Sequence, residues 1–543
     1  MIRSARWLLV LLSSVLLCSA AKAQTINAAS CNVTDVAAAL GNIVTDGTTV
    51  VIPPGDCNWT SPLTYAQTKS FTLQGAGAIS YSASSPSGTG SDVTTIENGL
   101  TSGSSILTII SSSGKSFRMT GIHFATHAGN SNKASNGWIV ITGSSTSVRV
   151  DHNHFDQLNN VDLGLYGCVQ GVADHNQFDG SYADENMIRF QSGTCNGDAS
   201  NNGDGSWADS SHWGTGQFMF TEMNTFRAVP STNANHIFAF DCSRGGRAVF
   251  RFNIMAYHTL VVTHGTGNST DPRGCRAMEF YGNTATYSTN PAQDNAGLIQ
   301  AESGGYLWWA NTTTGYYGLF QADIDRTNKV TYVQNPTPNG WGYCGTTYGP
   351  SNWDGNQDST GYPCLDGIGR GGGDRLSGLF PIKCDQTTGC TTFNGTWPHQ
   401  ALDPVYVFSN NFTSVPQRQN NYWSNFPPPI AIAENRDYYL ELPNINESGT
   451  FNGSAGVGCG PSSSPTCAHP VARPATCTTG VGYWEMDEGN WNQSGNGFGN
   501  GQLYVCTAPN TWTVYYTPFT YPHPLDGNTP TAIPPNQPNA QPH

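Results

Sequence analysis

The sequence predicts an all-β chain folded as a right-handed single-stranded parallel β-helix, with a small β-rich appendage at its C-terminal end. Three observations carry that expectation: a composition poor in charge and in helix formers, an asparagine that recurs at coil-length intervals, and two families of short apolar strands that alternate along the chain.

Charged residues make up 11% of the 543, under half the roughly 25% of an ordinary globular chain. The 62 glycines, with abundant Ser, Thr and Asn, stand where helix formers would be needed, so strands are favoured.

The segments VRVDHNHF (148–155), GVADHNQF (171–178), FTEMNTF (220–226), VFRFNIM (249–255) and EFYGNTA (279–285) align an asparagine in one column. That column holds Asn153, Asn176, Asn224, Asn253 and Asn283, and Asn311 and Asn410 extend it. The intervals up to Asn311 are 23, 48, 29, 30 and 28 residues, one coil per repeat with an insertion inside the 48. Each unit reads as a strand and a bend, where asparagine tolerates a left-handed backbone and its amide can bond to the asparagine stacked above. An internal asparagine ladder is expected.

The second strand family is WIVITG (138–143), DLGLYG (162–167), MIRFQSG (187–193), IFAFDCS (237–243), LVVTHGT (260–266) and LIQAESG (298–304). Period-two alternation points Ile139, Leu163, Ile188, Phe238, Val261 and Ile299 inward, followed by Ile141, Leu165, Phe190 and Phe240. TTVVIPP (48–54), SFTLQGAG (70–77) and SFRMTGIHF (116–124) read as the first coils. The β-helix is assigned to residues 24–443, with a long loop insertion at about 312–403. That insertion carries Trp341, Trp353, Trp397 and the glycine string DGIGRGGGDR (366–375), which lacks the strand and helix of a phosphate loop. Residues 444–543 form the disulfide-bonded appendage, expected to cover the open end of the helix or, in the alternative, to stack its aromatics on sugar rings, and a Pro/Asn-rich tail expected to be disordered beyond about Asp526.

At the N-terminus Arg3 and Arg6 precede an apolar run from Trp7 to Leu17 and the small-residue site Ala21-Lys22-Ala23, which reads as a secretory signal over residues 1–23. The expected product is a secreted or periplasmic monomer with no membrane partner. Removing Cys18 leaves 14 of 15 cysteines, an even number suited to an oxidising compartment. Pairing sequence neighbours gives Cys31 with Cys57, Cys168 with Cys195, Cys242 with Cys275, Cys344 with Cys364, Cys384 with Cys390, Cys459 with Cys467 and Cys477 with Cys506, although spacing leaves other connectivities open. No CxxC or His/Cys cluster has zinc-ligand spacing. Without Arg3, Arg6 and Lys22 the chain has 20 basic against 37 acidic residues, a net charge of −17. Such a chain does not suit a nucleic-acid partner.

The stacked asparagine turn resembles that of the pectate-lyase superfamily, in which three strands per coil build a right-handed β-helix. VRVDHNHF is similar to the WIDHxxF element of those enzymes, with Val148-Arg149-Val150 in place of the usual tryptophan segment. The resemblance covers most of residues 25–440 and implies the architecture. It leaves activity open, because the superfamily holds lyases, hydrolases, esterases and non-catalytic tailspikes and adhesins. That family's arginine and calcium-ligand constellation matches no motif here residue by residue.

Beside the inward pair of the second strand family, the outward residues on successive coils read Thr142, Tyr166, Gln191, Asp241, His264 and Glu302. Strands about 4.8 Å apart would put His264 between two carboxylates, which favours its charged form. His264, Asp241 and Glu302 are therefore the candidate catalytic residues. Arg189 lies on the same face, and Arg244, Arg273 and Arg276 lie in or beside the loops leaving these strands; with Tyr166 they are the candidate binders of an acidic sugar. The bland alternative is a solvated face with no function. A rival line, Asp151, Asp174 and Glu222, stands two residues before each ladder asparagine, followed by Arg251, Tyr281 and Trp309. It reads as a solvated acidic face or as a calcium site, calcium being the one cofactor the sequence suggests. His152 and His175 are expected inside.

Three functions compete. A polysaccharide lyase on a uronate-containing glycan needs cations for the carboxylate and a base for the C5 proton. An inverting glycoside hydrolase would use Asp241 and Glu302 as its acid and base. A glycan-binding adhesin or tailspike-like protein needs neither.

Overall fold

Strands this short cannot stand alone, and each gives its unpaired edge to the next coil. The computed structural model describes residues 24–80, 89–180, 185–199, 201–228, 237–256, 259–265, 273–286, 297–314, 318–322, 366–373, 375, 384–385, 389–390, 400–412, 434–443, 449–461, 467, 469–495 and 498–527. Three parallel sheets of 12, 10 and 9 strands, here I, II and III, run the length of the molecule. One coil shows the plan: Val148–Asp151 lies in sheet I, His154–Asp156 in sheet II and Val161–Tyr166 in sheet III. Crossovers between parallel strands wind right-handed as a rule, the hand that twisted strands impose. The fold is a right-handed parallel β-helix.

Like side chains stack in register within the core. In sheet I, Val50, Leu73, Met119, Val150 and Ala173 form one inward column. In sheet II, Phe155, Phe178 and Phe226 stack with centroids 4.5 and 5.0 Å apart. Their burial, at about 25 cal/mol per Å² of apolar surface, is the main force holding one coil on the next.

The asparagine ladder forms between sheets I and II. Each amide oxygen accepts the backbone N–H and side-chain Nδ2 of the asparagine one coil earlier, in the order Asn153, Asn176, Asn224, Asn253, Asn283, Asn311 and Asn410. The left-handed residue is the one before each asparagine, for example His152 (φ 55°), Met223 (φ 54°) and Ala310 (φ 52°), and not the asparagine itself. His152 and His175 therefore sit outside the bend, stacked 4.9 Å apart, with Nδ1 of each 2.8 Å from the preceding aspartate. Their expected inward placement is corrected by that backbone conformation. Asn253 accepts from Asn224 and donates to Asn283 and to the Thr221 carbonyl, all buried. Asn253→Leu should cost about 1–3 kcal/mol by leaving those groups unsatisfied away from water; denaturant unfolding measures it, and an unchanged midpoint would refute the internal ladder.

The 48-residue interval holds an excursion containing the short helix Asp204–Ala208. A second helix, Val33–Gly41, buries Val36, Ala39 and Leu40 at the N-terminal end of the coils, where the all-β expectation had none. Regular coils persist through the sheet III strand Gly318–Ala322, so the insertion starts later than residue 312. Sheet I ends at Tyr438–Leu440, and a four-stranded sheet begins at Val457–Gly460. Five of the expected disulfides are present: Cys31–Cys57, Cys168–Cys195, Cys242–Cys275, Cys459–Cys467 and Cys477–Cys506. Cys384 and Cys390 are register partners in a short antiparallel pair. The expected signal, the pair Cys344 and Cys364, the three tryptophans of the insertion and the tail beyond 527 lie outside the described residues.

The appendage does more than close an end. Trp484 packs on Trp309, and Tyr521 on Phe252 at 4.1 Å, so the segment after residue 515 runs back along the outer face of sheet I.

Candidate functional site

Sheet III places the expected catalytic residues, with one change of register. Asp241, on Ile237–Ser243, stands opposite Arg189 on one side and Val262 on the other, and Ser243 takes the place beside Gln191 expected for Asp241. The strand is displaced by two residues, with a bulge between Phe238 and Phe240, so Cys242 points inward where Phe240 was expected. A shift of two keeps every side chain on its own face. His264 follows Thr259–Thr263, and Glu302 follows Gly297–Ala301, whose Ala301 lies opposite Thr263.

The outcome is a compact cluster. Asp241 Oδ1 lies 2.7 Å from His264 Nδ1, and Asp241 Oδ2 accepts from Arg189 Nε at 2.9 Å. The aspartate is buried, at 1% exposure, while the imidazole and guanidinium keep 16% and 22% of their side-chain surface. Burial works to raise the Asp241 pKa, yet the charges and hydrogen bonds of His264 and Arg189 hold it well below the usual carboxylate range. Asp241 is thus an anion held against the His264 ring at Nδ1.

Tyr166 closes the group. Its ring lies across Gly164, where any Cβ would come within 2.5 Å of the ring, and Gly164 stands opposite Arg189. Burial pushes its hydroxyl well above the ordinary range; Arg189 and Arg244 pull it down, and Asp241 pushes it up. Arg244 stands in the turn after Asp241 with a left-handed backbone, φ 47°. Glu302 is buried, and its Oε2 accepts the Gly265 N–H at 2.9 Å, so it fastens the turn after His264. Of the two carboxylates expected beside the ring, Asp241 meets it at Nδ1 and Glu302 holds the backbone just beyond it.

Arg273 and Arg276 do not join this cluster. Arg273 is buried and binds Asp366 at 2.8 Å and also Asp204. Arg276 is buried against Trp207 and binds Asp403 at 2.7 Å. Asp366 and Asp403 come from the far side of the insertion and Asp204 from the earlier excursion, so these buried arginines fasten those segments to the coils. The glycine string has a packing reason too, since a Cβ at Gly371 would fall 2.2 Å from the Arg276 guanidinium.

The rival acidic line is in the expected register but is not solvated. Asp151, Asp174, Glu222 and Arg251 stack in one column of sheet I, and all are fully buried. Arg118 pairs with Asp151, Arg149 with Asp174 and Arg251 with Glu222, at 2.6 to 2.7 Å. The returning segment covers them, through Arg149 to Asp526, Arg251 to the carbonyls of Phe519 and Thr520, and the His523 N–H to Glu222. Each carboxylate of the line thus has a guanidinium partner, and burial of these charges is offset by that pairing.

No known family profile matches the chain, and no curated protein matches it. Among solved structures it is similar to an alginate lyase from Paenibacillus sp. str. FPU-7, at 13% identity and a TM-score of 0.29, over 55% of this chain and 98% of that one. A likeness this loose adds nothing to the β-helix already read from the strand order.

Proposed function

We propose that this chain is an exported polysaccharide lyase of the pectate-lyase-like superfamily, cutting a uronate-containing glycan by β-elimination at the Tyr166, Arg189, Asp241 and His264 cluster. The observation that supports it is the 2.7 Å contact between Asp241 and His264 beneath a partly exposed arginine. Arg189 and Arg244 neutralise the uronate carboxylate, which makes the C5 proton more acidic. His264 Nε2 takes that proton, the electron pair forms the C4=C5 double bond, and the C4–O bond breaks. The leaving oxygen takes a proton from water, while the buried Tyr166 hydroxyl keeps its own at neutral pH beside Arg189. Glu302 positions the turn that carries His264.

Asp241 suits the hydrolase role less well, because both its oxygens are engaged and an acid or base carboxylate must exchange a proton with water or sugar. Export fits the five disulfides, and no helix among the described residues is long and apolar enough to cross a membrane. Acidic and neutral polysaccharides should be screened with reducing ends and the ultraviolet absorbance of unsaturated uronates followed together. Both signals should rise on an acidic glycan. Reducing ends without absorbance would mean hydrolysis, and binding without products would mean an adhesin.

A further inference from the structure

The outer face of sheet II gathers histidines and aspartates that are a coil apart in sequence. His123 and His154 stand opposite each other on adjacent strands, their rings stacked 4.6 Å apart and 17° from parallel. Both turn Nδ1 toward Asp92, whose Oδ2 lies 3.8 Å from His123 Nδ1 and 3.1 Å from His154 Nδ1. The opposite ring edges face carboxylates: His154 Nε2 is 3.2 Å from Asp179, and His123 Nε2 is 3.8 Å from Asp156. Asp179 is itself held by two bonds from Arg227, at 2.8 and 2.6 Å.

For His154 that pattern is the one a metal-binding histidine uses. One ring nitrogen ligates, while the other donates to a carboxylate that fixes the tautomer and orients the ring. A separation of 3.8 Å is too long for a hydrogen bond. It is close to the roughly 3.4 Å between two ligands each bonded at about 2.1 Å to one tetrahedral ion. His123 Nδ1 also lies 3.1 Å from Thr95 Oγ1, a contact it would exchange for the ion.

We propose that Asp92, His123 and His154 form a binding site for a divalent transition ion of the zinc type, with Asp179 as the carboxylate behind the His154 ring. Two imidazoles select against calcium and magnesium, which prefer oxygen, and three protein ligands leave a position for water. Asp92 directly follows the strand Thr89–Ser91, which pairs with Ala78–Ser80, so the ion clips that antiparallel pair onto sheet II. Short-range Cys/His spacing cannot reveal such a site, because each ligand comes from a different turn of the solenoid.

The test is calorimetric titration of Zn²⁺ into the full disulfide-bonded chain after chelator treatment and dialysis, with circular dichroism to check each variant's fold. One equivalent should bind. His123→Ala and His154→Ala should each weaken binding at least hundredfold, and Asp179→Asn by about 10- to 100-fold. Asp92→Asn, on an exposed residue whose replacement spares the core, should weaken it at least tenfold and abolish the rise in melting temperature that Zn²⁺ gives the parent. His264→Ala, on sheet III, should bind as tightly as the parent. Failure of the parent chain to bind, equal affinity in the His123, His154 and Asp92 variants, or loss of binding in His264→Ala would each overturn the proposal.

Discussion

His264→Ala and Asp241→Asn should each lower turnover on the acidic glycan by about 10²- to 10⁴-fold, the usual worth of a positioned general base. The first removes the base. The second keeps the shape of the side chain but removes the charge that orients His264 Nδ1 and pairs with Arg189. Both losses should fall mainly on kcat, whereas Arg244→Ala should mainly raise KM for charged substrates, since it removes binding that substrate and transition state share. Strands fixed in a ladder hold these side chains rigidly, so the variants should keep the parent circular dichroism. Activity that survives both His264→Ala and Asp241→Asn within a factor of a few would place the site elsewhere on the helix.

How much of this was legible in the sequence depends on the range of the interaction. Sheet order and the ladder were readable, because neighbouring coils are neighbours in sequence and carry like residues in like places. The sheet I column Asp151, Asp174, Glu222 and Arg251 was read in its true register, yet its exposure was misread. The cover is the segment around 516–526, hundreds of residues downstream, and nothing local announces it. The buried pairing of Arg273 and Arg276 is hidden from the sequence for the same reason, since Asp366 and Asp403 reach them from the far side of an insertion. The displacement of Asp241 was invisible for a different cause: alternation has period two, so a slip of two leaves the hydrophobic pattern intact. The histidines of sheet II escaped notice because ligands a coil apart form no short motif.

The buried column of sheet I should dominate stability. Arg251→Met should cost about 3–5 kcal/mol, because it leaves the Glu222 carboxylate inside the protein without its counter-charge. Burial already pushes the Glu222 pKa up, with Arg251 and the His523 N–H pulling against it. The same guanidinium donates to the carbonyls of Phe519 and Thr520 and lies over the rings of Phe220 and Tyr521, 4.9 and 5.0 Å from their centroids. Its loss should therefore also loosen the returning segment, which limited proteolysis would report as earlier cleavage after residue 515. The double variant Glu222→Leu with Arg251→Met removes both charges and should recover much of the loss, since an apolar pair of similar volume replaces a buried ion pair at little cost. Denaturant unfolding of the two single variants and the double variant, read as a cycle, isolates the coupling. Near-zero coupling would mean that Glu222 is protonated in the folded protein and that packing, not charge, holds the segment down.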